Sequence, residues 1–600
     1  MPIVQGAAEG PKREQIRRQA IVLVHGMGEQ IPMETVRDFA TAVWASDRDL
    51  HSSDEKKAGQ LFSVPDSTTG SRELRRISTR KSRRRHSDVN DDNDEYAVRN
   101  EFFELYWADS TTDTTWADFL GWYVRLVVRW PSEAPKAVRW IWGLLWVVNV
   151  AFLLSAQIAL LWFVTTEIDQ LFIDAIEKAR GAQQSLDWGA TYRLAFQTPT
   201  VVSTCDLVWA PGLVALIGAL VYKFSRFKKP SYWLAVTAGF IALWSLVVLI
   251  GVLAKPFVFQ TSREHNIFWP GFIALVGAAL LLIQGFLIKF FGDVARYTVA
   301  SPGNIVPRQK VRDRGVELIN KLTASGQYDR IILVAHSLGC LIAYDILCLL
   351  WADYVATRRK PELVPNADAV RGEVQEVIEA ATQKPIDLRR FRRAQRALFR
   401  ALRRADDERL DAVGPDDEKV SARWLISDLV TIANPLTHAE FLLAPKKKQL
   451  GDRFRWRELS RCPPRLEEFR GRKSFVYQPT QGGALRFNHD AVFSVVRWTS
   501  IHDRPEDPRL FLTGDFISGP VSGIFGPGVV DVKVEPRRKS GSLPQRLFTH
   551  TIYWELKQAD YGHAPRSVSV IRNALNILDE SKREDALLKD ANRAVGEAGG

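Results

Sequence analysis

Four stretches of this 600-residue chain, Trp140–Val164, Leu207–Tyr222, Tyr232–Ala254 and Ile267–Ile288, contain no Asp, Glu, Lys or Arg. A helix that crosses a bilayer needs roughly 20 apolar residues, with ~17 tolerated at the short end. The first, third and fourth stretches meet that length; the second, interrupted by Pro211, is marginal. Trp140, Trp142, Trp162, Trp209, Trp233 and Trp269 stand near the ends, where an interfacial aromatic belt belongs. Just ahead, Asp118–Trp130 mixes Trp122, Tyr123 and Trp130 with Arg125 and Arg129, the composition of a helix lying at a membrane surface. A soluble core would need several charge-free helices in succession, which is rare. Residues 117–291 are therefore expected to form a four-helix transmembrane insertion.

Loop charge sets the orientation. Arg125, Arg129, Lys136 and Arg139 precede the first span, Lys223, Arg226, Lys228 and Lys229 join the second to the third, and Lys289 and Arg296 follow the fourth. The remaining loops are mixed in charge, with Glu167, Asp169, Asp174 and Glu177 in the longer one. The positive-inside rule then puts both ends of the block in the cytoplasm. An even number of crossings is also required if the strands predicted at Ile21 and Ile331 share a sheet, and this is the main support for counting the weak second span. The expected placement is a multi-pass integral membrane protein with its polar domain on the cytoplasmic side. The spans hold no acid or base to mark an ion or substrate path, which argues against a transporter or channel.

The polar sequence on either side reads as one domain in pieces. Gln19–Gly28 is a buried strand entering a His-Gly loop, followed by helical spacing over Met33–Trp44. Ser63–Asn100, with Arg83-Arg84-Arg85 and Asp91-Asp92, has no apolar periodicity and is expected to be a mobile charged loop within an N-terminal part spanning 1–116. Glu101–Trp107 reads as a strand. Residues 292–350 carry a helix at Val311–Thr323 and then the run Ile331–Cys340, in which branched apolar residues end at Ala335-His336-Ser337-Leu338-Gly339 and helical sequence resumes. Strand, tight turn and helix push a serine hydroxyl out at the end of a parallel strand, and small residues two before and two after it let the backbones approach. Residues 351–420 are charged and mostly helical. There Leu388, Phe391, Leu398, Phe399 and Leu402 share a face and arginines cover much of the rest. Two readings of this Arg-rich helix, 386–404, stand side by side: a lid on anionic lipid headgroups, or a surface helix packed on the domain. Residues 421–565 are expected to hold strands at Leu429–Leu436, Ala491–Trp498 and Val529–Val534, and 566–600 a closing amphipathic helix over Ser567–Leu587 and a loose tail.

A serine hydroxyl needs a base, a group to orient the base, and donors for the developing oxyanion. The candidate base is His550, with His563 second; His336, flanking the serine, is expected to point away. The candidate acid is Asp515, where Gly514 allows a tight turn and Ile517 can anchor it, with Asp507 and Asp503 as alternatives. For each aspartate the competing assignment is a turn or capping residue. His25 and Gly26 are expected to shape a loop whose backbone N–H can face the oxyanion, against the plainer reading of a glycine turn. The net charge of +12 suits an anionic partner, but no nucleic-acid reading motif accompanies the basic runs, so lipid and not nucleic acid is expected. Cys205, Cys340, Cys348 and Cys462 have no paired metal spacing, and neither a metal nor a cofactor is expected. Met1–Arg18 lacks the apolar core of a signal peptide.

Val24-His25-Gly26, Ala335–Gly339, Gly514–Pro520 and His550–Trp554 resemble the α/β-hydrolase superfamily, the lipase/esterase-like branch in particular, over roughly 17–45, 100–110 and 292–565. Ala335 stands where that family usually has glycine. Membrane-embedded members include GPI inositol deacylases, to which the chain is similar in general plan. The resemblance implies a mostly parallel sheet flanked by helices, with Ser337 as nucleophile, His550 as base, Asp515 as orienting acid, and the N–H groups of Met27 and Leu338 at the oxyanion. It also implies a membrane-anchored serine hydrolase acting on ester or thioester bonds of lipid or acylated substrates. The alternative is a catalytically inactive scaffold or sensor of the same fold.

Overall fold

In the computed structural model the chain divides into two units, Met1–Leu144 with Leu287–Gly600, and Leu145–Phe286. The structure describes residues 15–27, 31–51, 59–69, 73–83, 96–110, 143, 294, 297–298, 302–356, 364–412, 423–444, 447–469, 471–481, 483–503, 514–536, 549–556 and 564–597. Asp118–Trp130, expected to be an interfacial helix, and, apart from Gly143, the four apolar stretches lie outside the described residues. Among the described residues no helix is long and apolar enough to cross a membrane.

The first unit is an α/β structure. Its strands are β1 (Gln15–Val24), β2 (Leu61–Pro65), β3 (Arg75–Thr79), β4 (Ser82–Arg83), β5 (Tyr96–Leu105), β6 (Arg330–His336), β7 (Ile426–Ile432), the short hairpins β8 (Glu467–Phe469) with β9 (Arg472–Ser474) and β10 (Val476–Tyr477) with β11 (Arg486–Phe487), then β12 (Arg497–His502) and β13 (Val530–Lys533). Nine of them form one sheet in the order β13-β12-β7-β6-β1-β5-β3-β2, with β4 also on β5. The run from β13 to β5 is parallel; β2, β3 and β4 pair antiparallel. Every residue of β6, β7 and β12 is buried, as parallel strands covered on both faces must be.

The pairing of β1 with β6 joins the two halves of the sequence, Ile21 facing Ile332 and Val24 facing Ala335. Val22, Val24, Leu333 and Ala335 enter one core layer, and Ile21, Leu23, Ile332 and Val334 the other. A slip of one residue would exchange the layers, so burial fixes the register.

The helices that cover the sheet include α1 (Glu34–Ala40), α2 (Pro302–Ala324), α3 (Gly339–Tyr354), α4 (Arg371–Thr382), α5 (Leu388–Ala412), α6 (Arg566–Leu575) and α7 (Ser581–Glu597); other short ones lie at Ala439–Leu442, Lys447–Arg455 and Ser522–Phe525. Helices α2 to α5 fill the first layer; α1, α6 and α7 fill the second. Helix α3 is apolar nearly all round, which suits a helix enclosed by sheet and neighbours. In it Trp351 is fully buried and meets Trp424 edge-on at 5.0 Å. Truncating such a side chain to alanine typically costs about 3–5 kcal/mol. Helix α2 also grips the end of β5: Arg314 donates to the Tyr106 carbonyl at 2.7 Å and pairs with Asp109 at 2.5 Å.

Several expectations are corrected. The stretch Ser63–Asn100 is not one mobile loop: it contributes β3, β4, most of β2 and the start of β5, while 84–95 lies outside the described residues. Its alternation was hidden because Arg75 and Arg76 flank buried Leu74 and Ile77. Ala491–Trp498 is not a strand. Val492–Ser494 forms a 3-10 turn inside the core and β12 starts at Arg497; a continuous apolar run has no period to separate the two. The single closing helix is two, α6 ending at Asn576 with φ 40°.

The Arg-rich helix is α5, and protein takes its apolar face: Phe391, Leu398 and Leu402 are buried. Its cations also meet carboxylates. Arg396 and Arg400 lie 2.8 and 2.9 Å from Asp579, Arg403 lies 2.8 Å from Asp329, Arg390 lies 2.8 Å from Glu376, and buried Arg392 pairs with Glu584. Of the two readings, the packed helix is the one this arrangement fits, because a face filled by core and cations paired with acids leave little for headgroups.

Candidate active site

Among the parallel strands the chain order reverses between β1 and β6: the next parallel strand after β1, β5, lies on one side of it, and β6, β7, β12 and β13 follow one another on the other. Open α/β sheets bind ligands beyond the carboxyl ends of the strands at such a point. Here those ends carry His25-Gly26 after β1 and Ser337 after β6.

Ser337 is held in the left-handed region, φ 54°, a conformation that costs a non-glycine residue ~1 kcal/mol or more. The turn is fixed by its N–H, which donates to the carbonyl of Ile432 at 3.0 Å. Two glycines make the close approach possible. A Cβ on Gly339 would stand 2.4 Å from the Val24 carbonyl oxygen, and one on Gly26 would stand 2.9 Å from the Ser337 Cβ. Ala335 is fully buried in the first core layer.

His550 lies in a turn between Thr549 and Glu555, with Ile552 N–H donating to the Thr549 carbonyl. Its Nε2 is 2.8 Å from Ser337 Oγ, and its Nδ1 is 2.9 Å from each carboxylate oxygen of Asp515. An ionised carboxylate only accepts, so Nδ1 carries the hydrogen and Nε2 presents its lone pair to the serine hydroxyl. Ser337 and His550 are 2 % and 4 % exposed, so this chain of hydrogen bonds is screened from bulk water.

Asp515 is wholly buried. Burial pushes its carboxyl up, yet the nearby His550 charge and hydrogen bonds from His550, Ser518 and Tyr553 outweigh it and hold the carboxyl down at about 2. Oδ1 accepts from the N–H groups of Ile517 and Ser518 at 3.1 and 3.2 Å, and Oδ2 accepts from the Tyr553 hydroxyl at 2.8 Å. Asp503, an alternative acid, is not the carboxylate bonded to the imidazole: it accepts from Thr549 Oγ1 at 2.6 Å, and burial pushes it up to about 7. Asp507 and His563 lie outside the described residues.

His336 faces away from the serine. Its Nε2 is 2.8 Å from the His550 carbonyl oxygen, and because that oxygen can only accept, Nε2 donates. Burial, then the charge of His550, lowers it to about 3, which keeps the ring neutral. His25 is fully buried and stacked on Trp107 at 5.1 Å. Its Nε2 accepts from the Trp107 N–H at 3.1 Å, which leaves Nδ1 to donate to the Gly26 carbonyl at 2.8 Å. The ring thus braces the loop that carries Gly26 and Met27. The Leu338 N–H has no protein acceptor among the described residues and opens α3, where the helix dipole favours negative charge. Sequence reasoning missed Tyr553; its place three residues after His550 was the available signal.

No protein-family model, curated protein or solved structure matches this chain. Chemically, the arrangement can pass the serine proton to an imidazole whose second nitrogen is held by a buried carboxylate, beside an unpaired backbone donor.

Proposed function

We propose that the chain is a serine hydrolase of the α/β-hydrolase kind, anchored in a membrane, that cleaves ester or thioester bonds of lipid or lipid-linked substrates. The observation that carries this is the hydrogen-bond chain Ser337–His550–Asp515, 2.8 and 2.9 Å, at the carboxyl edge of a parallel sheet.

In this reading Ser337 Oγ attacks the acyl carbon as its proton moves to His550 Nε2. The carbonyl oxygen takes the negative charge beside the N–H of Leu338, with that of Met27 as the second donor. Collapse of the tetrahedral species breaks the bond to the leaving oxygen or sulfur, which takes the proton from Nε2. A water then attacks the acyl-enzyme, gives its proton to Nε2, and frees the acid while Oγ regains a proton. Asp515 keeps its charge throughout and stabilises the imidazolium. Oriented backbone donors in a screened site supply much of the rate in such chemistry, removal of one costing about 10²–10³.

The membrane anchor rests on the four charge-free stretches. Pairing of β1 with β6 in one sheet requires the intervening chain to return to the side it left, which favours an even number of crossings. An anchor of this kind would hold the site where amphiphilic esters collect. The test uses the full chain in detergent and a fluorophosphonate probe. Covalent labelling lost in Ser337→Ala is expected; folded protein that takes no label would sink the reading and leave the inactive scaffold.

A further inference from the structure

Tyr553 occupies a position that the triad alone does not call for. Its ring is fully buried, and its hydroxyl meets three groups: Asp515 Oδ2 at 2.8 Å, the backbone N–H of Asp503 at 2.8 Å, and Ser518 Oγ at 3.2 Å. The N–H of Asp503 can only donate, so the phenol oxygen accepts there and has a single proton left to give. An ionised carboxylate is a stronger acceptor than a hydroxyl, so that proton goes to Asp515. Both His550 and Tyr553 come from one turn and reach the same carboxylate, the imidazole centred between its two oxygens.

Oδ1 accepts two backbone N–H groups besides the imidazole, whereas Oδ2 has the phenol as its one other donor among the bonds described. Rotation of the carboxylate about its bond to Cβ is thus pinned on one oxygen by the main chain and on the other by Tyr553. The phenol also draws negative charge away from the oxygen it shares with the imidazole. Other ionisable groups around this carboxylate are Asp503, His336 and Cys340; Lys533 and Glu535 stand beside Asp503.

We propose that Tyr553 is a positioning residue that sets the basicity of His550 by sharing the Asp515 carboxylate with it. The proposal rests on the serine-hydrolase reading above. Without the hydroxyl, Oδ2 loses one of its donors, the carboxylate becomes more basic, and the imidazolium is better stabilised. The base is then protonated up to a higher pH.

The experiment is the second-order rate of fluorophosphonate labelling of the full chain in detergent, followed from about pH 5 to 9, where the rising limb reports the free-enzyme base. Tyr553→Phe is expected to move the midpoint upward by about half a unit to one unit, the size of one hydrogen bond expressed as a pKa shift. Replacement of Tyr553 by 3-fluorotyrosine keeps the hydroxyl and makes it the stronger donor, so the midpoint should move the opposite way. A phenylalanine variant that labels with the wild-type midpoint, whatever its folded yield, overturns the proposal, because a merely structural role lowers yield and leaves the limb in place. Should that variant not fold, an unmoved midpoint in the fluorotyrosine protein overturns it alone. Failure of the serine-hydrolase reading is distinguishable, since wild type itself would then take no label.

Discussion

Where the parallel strands begin, Asp428 lies between two guanidinium groups, 2.8 Å from Arg497 and 2.5 Å from Arg330, with Asp579 and Glu584 closing the cluster at 3.6 and 3.5 Å from Arg497. Where they stop, Asp515 meets His550, Tyr553 and two backbone N–H groups. Both carboxyls are buried, and both are held below the ordinary carboxylate range: burial raises each, and the adjoining positive charge outweighs it. A depressed carboxyl therefore does not distinguish a reacting site from a scaffold. The partner does. Guanidinium neither gives up nor accepts a proton near neutrality, so the first cluster is static, whereas an imidazole next to a hydroxyl has a proton to move.

That contrast is broken or sharpened by substitution at either end. The largest effect is expected from Ser337→Ala, a loss of hydrolysis of about 10⁴-fold or more, measured on a chromogenic ester, with an unchanged thermal midpoint. Asp515→Asn should follow at about 10⁴-fold, since an amide can hold the wrong imidazole tautomer; a variant with near-normal turnover would remove the acid from the scheme. At the other end, Arg497→Ala leaves Asp428 short of a buried partner and should cost about 3–5 kcal/mol in denaturant unfolding. Its folded fraction should still label at the wild-type rate, and slowed labelling at full stability would erase the distinction between the two ends.

The smallest effect concerns acid. Asp515 has a folded value near 2 against 3.8 ordinarily, so the folded state binds this proton less readily than the unfolded one. The stabilisation is present above about pH 4 and is lost as pH falls through 2, roughly 2 kcal/mol in all. Asp515→Asn should flatten that part of the stability profile; an unchanged slope would place the acid sensitivity in the arginine cluster.

Ser337 was legible in the sequence because an elbow makes local demands: small residues on both sides, apolar strand before, helix after. The parallel core strands were legible for a similar reason, as charge-free runs of branched residues. Asp515 was ambiguous among three aspartates, since what separates it from Asp503 is which side chain each one meets, His550 or Thr549. The antiparallel edge was illegible because a strand covered on one face can fill the other with Arg and Ser. The two readings of α5 could not be separated either: an apolar stripe among arginines looks the same whether its partner is lipid or protein, and Asp579 and Glu584, which take the cations, lie far along the chain.

The grip of Arg314 on Tyr106 and Asp109 ties the outgoing end of the long detour between β5 and α2 to a helix on its returning side. From Pro302 to Arg314 is about 18 Å of helix, a gap that an extended peptide of about ten residues spans with slack. Splicing such a bridge in place of 111–301 would leave both anchorages intact, and with them the junction of β1 with β6. The two anchorages and the β1–β6 pairing all use residues that lie outside 111–301.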